Sequence, residues 1–154
     1  MSCKYYKCES LTSIDITNSV TTIGGYAFFH CSSLTSVHIP DSVTRIENGA
    51  FEGCKSLISI TIPSSVVSLE GNPFVGWSGV LHNESKAFIY EDGVLFNKDK
   101  TILIANRSKE TSYIIPRTVT CIGEIAFANC SSLISVDIPD GVTSIGEGAF
   151  AFCN

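Results

Sequence analysis

The chain has 154 residues, 44% of them hydrophobic and 16% charged, which is enough apolar material for one packed domain and too much for a disordered one. A formal charge of −5 and the lack of any Lys/Arg run argue against nucleic acid or an anionic membrane surface as a partner. No apolar run approaches the roughly 18 residues of a membrane-spanning helix, and residues 1 to 13 lack the apolar core of a signal peptide.

From the N-terminus onward, one pattern returns every 23 residues. Cys8, Cys31 and Cys54 keep that interval, as do Cys130 and Cys153; Phe28, Phe51 and Phe74, then Phe127 and Phe150, keep it too, with Tyr5 in the equivalent slot. A fixed period of this size predicts a stacked repeat, because one unit cannot bury its apolar face except against its neighbours. Within a unit, the alternation in Ser36-Val37-His38-Ile39 predicts a half-buried strand with Val37 and Ile39 inward and Ser36 and His38 outward. Pro40 ends it, Val43 and Ile46 supply a second inward wall, and Ala50-Phe51 suggest a short 3₁₀ or helical turn. Leu11/Leu34/Leu57 and Ile16/Ile39/Ile62 are the expected core ladders, beside the phenylalanines.

The beat breaks after Phe74. Phe74 to Phe127 is 53 residues, two units plus seven, so one coil is enlarged; Trp77 takes the place of the ladder cysteine. Three apolar runs, 87–90, 93–97 and 101–105, are separated by Asp92-Gly93 and by Lys98-Asp99-Lys100, which predicts a small antiparallel excursion. Regular coils are thus expected over 5–76 and 112–154 of a single domain, 1–154, with an irregular enlarged coil over 77–111.

The units CSSLTSVHIPDSVTRIENGAF and CSSLISVDIPDGVTSIGEGAF resemble the BspA-type leucine-rich repeat of bacterial and protozoan surface proteins. The resemblance covers roughly residues 5 to 154. It implies a repeat solenoid, mainly β with short 3₁₀ or helical turns, of about six coils with one enlarged by a hairpin-like insertion. It also implies a cell-surface or extracellular location and attachment to host proteins, extracellular matrix proteins such as fibronectin and fibrinogen among them. Neither end carries the polar cap that usually closes a solenoid, so the chain is read as part of a longer protein, or as one that self-associates through its terminal coils.

Nothing in the sequence reads as catalytic, and no cofactor is implied. The cysteines recur at one coil length rather than in the close pairs of a metal site, so buried reduced thiols are expected. Cys121 departs from the ladder, as Cys3 does, and stands in a slot otherwise held by Thr22, Arg45, Ser68 and Ser144. Asp15, His38 and Thr61 fall on successive rungs, but a repeat aligns whatever fills its variable slot, and no oxyanion site or pocket accompanies them. Sequons at Asn83, Asn106 and Asn129 would matter only in a eukaryotic secretory pathway.

Protein recognition is the expected role, because the outward slots vary while the inward ones do not. The outward strand positions Asp15, Ser36, His38, Ser59, Thr61, Ile114 and Asp137 form the expected contact face, with Trp77 and Tyr90 in the insertion as aromatic anchors. A structural spacer in a surface protein and an intracellular or secreted effector domain are the alternatives.

Overall fold

The computed structural model of the protein describes residues 8 to 153; Cys3 and Tyr5 lie outside them. The chain divides into two compact units, Met1–Ala87 and Phe88–Asn154, each a stack of short coils. In the first unit one wall carries β1 (Ser13–Asp15), β3 (Ser36–His38), β5 (Ser59–Ile62) and β7 (Val80–Asn83). The other wall carries β2 (Thr22–Ile23), β4 (Arg45–Ile46) and β6 (Ser68–Leu69). Pairing is parallel and in register: Ser13 faces Ser36, Ile14 faces Val37 and Asp15 faces His38, so the sequence period is also the spatial period.

The repeated apolar letters make the core. Leu34, Val43, Ile46, Phe51, Cys54 and Ile62 are completely buried. Phe28, Phe51 and Phe74 stack with ring centroids 5.3 and 6.2 Å apart and planes within 14° of parallel. Equivalent side chains on neighbouring rungs meet because stacked strands lie about 4.8 Å apart.

The corner after the second wall is not a helix, and no helix occurs among the described residues. The amides of Ala27, Phe29 and Cys31 close i→i+3 turns onto Gly24, Tyr26 and Phe28 at 3.1 Å, as a 3₁₀ segment would. Between them, however, Tyr26, Phe28 and His30 donate to Asn48, Ala50 and Glu52 of the next coil at 2.8 to 3.0 Å. That alternation needs left-handed residues, and Tyr26 and His30 stand at φ 57° and 54°. The expected 3₁₀ or helical turn is therefore a run of turns that also serves as a coil-to-coil ladder.

In the second unit, β8 (Phe88–Glu91), β9 (Val94–Asn97) and β10 (Ile102–Asn106) form the expected antiparallel excursion. Asp92 and Gly93, at φ 49° and 78°, make its first turn, as a primed hairpin turn requires. Asn97 organises the second: its Oδ1 accepts from Thr101 and Ile102 amides at 2.9 and 2.8 Å, and its Nδ2 donates to Thr101 Oγ1 at 2.9 Å. Parallel stacking resumes from β10 to β12 (Cys121–Ile122) and β14 (Ser144–Ile145), while β11 (Ser112–Ile114) pairs with β13 (Ser135–Asp137). Val94 and Phe96 of the excursion share one core with Leu103, Ile115, Val119, Ile122 and Phe127. The insertion thus feeds the core of its own coils.

Candidate functional site

The outer face of each unit is built by strand alternation. In the first unit, Asp15, Ser36, His38, Ser59 and Thr61 are all exposed, since the alternation turns Ile60 and Ile62 into the core and leaves Val37 half-buried on the inward side. Asp15 lies beside His38, and Thr61 lies beside His82. His82 and Val80 belong to the same face, although their slots escape a count by 23: Ser59 pairs with Val80, an offset of 21. Ile58 and Val80, 71% and 56% exposed, add an apolar corner, and the Val80 amide donates to the Ile58 carbonyl at 2.9 Å.

In the second unit, Ile114 pairs with Asp137 across β11 and β13, with Ser112 beside Ser135. Ile114 is 74% exposed and Ile134 85%. Ile114 and Asp137 also line a groove with Arg117, Ile138 and Asp140, which sets two isoleucines among charges of both signs. Ile134 and Ile58 fill the slot before the strand, where three other coils have Thr12, Thr35 and Thr111; the signal was there in the sequence, one position ahead of the alternating stretch.

The two aromatic anchors expected in the insertion are placed differently. Trp77 is a correction: it is 4% exposed, and its indole N–H donates to the Leu57 carbonyl at 2.7 Å, so it fills the core where other coils have cysteine. Its ring lies 5.7 Å from that of Phe74. Tyr90 is half-buried and is hydrogen-bonded to the guanidinium of Arg107, whose pKa burial pushes down while Tyr90 pulls it back up.

The buried thiols are structural. Cys31 and Cys54 are fully buried, and the Cys54 thiol donates to the Phe28 carbonyl at 3.1 Å. Burial pushes the Cys54 pKa up to about 12 and that of Cys130 to about 11, so neither offers a thiolate nucleophile near neutrality. All six described cysteines are free, and among the described residues no group of three or more His, Cys, Asp or Glu is arranged to hold a metal. His38 and Thr61 stand on open sheet surface, which suits contact with a large partner and gives no enclosure for a reacting atom.

The BspA type leucine rich repeat region matches in six copies over residues 2–85 and 104–154. A comparison with curated proteins gives no match. Among solved structures, the pneumococcal vaccine antigen PcpA is similar at 30% identity and a TM-score of 0.78, over 94% of this chain and 38% of that one. A leucine rich cell surface protein from Faecalibacterium prausnitzii is similar at 35% identity and a TM-score of 0.79, over 95% of this chain and 40% of that one. A leucine-rich repeat protein from Eubacterium ventriosum, at 23% identity and a TM-score of 0.60, covers 93% of this chain and 52% of its own and shares the fold. The chain spans about two-fifths of the length of the first two.

Proposed function

The chain belongs to the BspA-type leucine-rich repeat family, and from that premise we propose that it is a non-catalytic protein-recognition module of a bacterial cell-surface protein. The observation that carries the reading is the division of labour within each coil. Inward slots repeat the same apolar letters, whereas the exposed slots change from rung to rung: Asp15, His38, Thr61 and His82 in one unit, Ile114 and Asp137 in the other. An extended face of this kind sums many modest contacts without a pocket. The description of one similar structure as a cell surface protein and of another as a vaccine antigen supports a surface location and, with it, partners among host or matrix proteins.

The test is binding of the purified, monodisperse chain to fibronectin, fibrinogen and other host surface proteins, with the triple variant His38→Glu, Thr61→Glu, Ile114→Glu beside it. Saturable binding that a folded variant loses supports recognition through the strand faces. Binding that the variant keeps moves the contact off those faces. A well-folded wild type that binds none of them favours a spacer.

A further inference from the structure

The sequence holds a single Asn-Gly pair, Asn48-Gly49, at the corner that follows β4. Such a pair is open to attack from within the chain: the backbone nitrogen of the second residue can reach the side-chain carbonyl carbon of the first, and glycine brings no Cβ to crowd the approach. The nitrogen must first give up its proton, because its lone pair is otherwise shared with the carbonyl of its own peptide bond. The other described asparagines are less exposed to this chemistry. Asn72 precedes Pro73, which has no N–H to lose, and Asn18, Asn83, Asn97, Asn106 and Asn129 all precede residues with side chains.

Stacking holds both reacting groups. The Gly49 N–H donates to the Asn72 carbonyl at 3.0 Å, and Asn48 Oδ1 accepts from the Asn72 N–H at 3.2 Å, so the attacking nitrogen and the attacked amide are bound to one residue of the following coil. On the side of the preceding coil, the Tyr26 N–H donates to the Asn48 carbonyl at 3.0 Å. Gly71 completes the clamp, since a Cβ there would stand 2.7 Å from Asn48 Cγ and Oδ1. Moving the Gly49 nitrogen onto Asn48 Cγ breaks both bonds to Asn72. Asn48 is nonetheless only half-buried, so water reaches it once the clamp is released.

We propose that Asn48 is a site of spontaneous deamidation that the stacked coil keeps closed, protected while Asn72 is in place and reactive when the coil carrying Asn72 lifts away. The Gly49 nitrogen forms a bond to Asn48 Cγ, and the side-chain nitrogen leaves as ammonia, taking the proton that the Gly49 amide lost. The product is a five-membered succinimide. Water then opens the ring at either carbonyl carbon, giving aspartate, or isoaspartate in which the main chain runs through Cβ and Cγ. Water is the one co-reactant, and the extent of conversion records how often this coil has opened.

The test incubates the full chain in mildly alkaline buffer, folded and in guanidinium chloride. Cleavage after Arg45 and Lys55 releases the peptide Ile46–Lys55, in which Asn48 carries the only side-chain amide. Mass spectrometry of that peptide reads the exchange of amide for acid, and chromatography separates aspartate from isoaspartate. In denaturant, Asn48 is expected to convert ahead of every other asparagine; in the folded chain it is expected to convert at least about tenfold more slowly, because reaction waits on local opening. Gly71→Ala, whose Cβ pushes the Asn48 side chain away from Asn72, is expected to speed the reaction in the folded state. If that variant does not fold, the ratio of folded to unfolded rates in the wild type decides alone. Equal rates in the folded and unfolded chain, earlier conversion of another asparagine in denaturant, or an unchanged rate in folded Gly71→Ala overturns the proposal.

Discussion

At Gly49 two constraints coincide: φ is +64°, and the edge of the Tyr26 ring occupies the space where a Cβ would go. Gly49→Ala is expected to destabilise the protein by about 2 kcal/mol or more, from backbone strain and the displaced ring together. Gly141→Ala is its control, because the nearest atom to a Cβ there is 3.6 Å away and φ lies outside the left-handed region. Denaturant titration should find that variant unchanged or up to about 1 kcal/mol more stable. Cys54 gives a residue-scale prediction in pH. Its thiol, pushed from 9.0 to about 12 by burial, keeps its proton in the folded chain after the unfolded chain has lost it. The unfolded state then binds fewer protons, so the contribution of Cys54 is constant below about pH 9 and lowers stability as pH rises toward 12. Cys54→Ala should flatten that alkaline limb in denaturant melts taken at stepped pH.

Among the elements, the β9–β10 turn depends on one side chain. Asn97 satisfies two backbone amides and a hydroxyl in the loop it closes, so Asn97→Ala is expected to cost about 1–2 kcal/mol and to speed amide exchange at Thr101 and Ile102. The neighbouring hairpin was legible in the sequence because Asp92-Gly93 supplies left-handed residues between two apolar runs, and the coils were legible because cysteine and phenylalanine keep time. The reading failed where the count by 23 was dropped in favour of residue type. Trp77 sits 23 residues after Cys54, an inward slot, yet its large aromatic ring suggested a surface anchor. His82 was missed for the opposite reason: the enlarged coil pairs at an offset of 21, so a fixed count passes over it. The corner turn was only half legible, since i→i+3 bonding follows from local sequence whereas the amides that cross to the next coil depend on what is stacked there.

For the molecule as a whole, contacts run between neighbouring coils within each unit, and stability should be distributed accordingly. Phe127 is fully buried, with its ring 5.0 Å from Phe150 and 5.9 Å from Tyr113. Phe127→Ala is expected to remove about 3–5 kcal/mol and to raise amide exchange first across residues 121–151, leaving the amides of Ile46 and Phe51 protected longer. Uniform loss of protection along the chain would mean that both units unfold as one. The in-register pairing of Ser36 with Ser13 has a further consequence for how such a chain can change length. Duplicating residues 32–54 would add a rung and leave every inward side chain inward, whereas a duplication one residue longer or shorter would turn the following strand inside out. The offsets of 21 at Val80 and 19 at Cys121 occur only beside the enlarged coil, where a Cβ on Gly79 would stand 2.5 Å from the Leu57 carbonyl oxygen and one on Gly123 would stand 2.9 Å from that of Leu103. Elsewhere, insertion and deletion come in whole coils, and variation between relatives should be sought in rung number and in single exposed letters rather than in loop length.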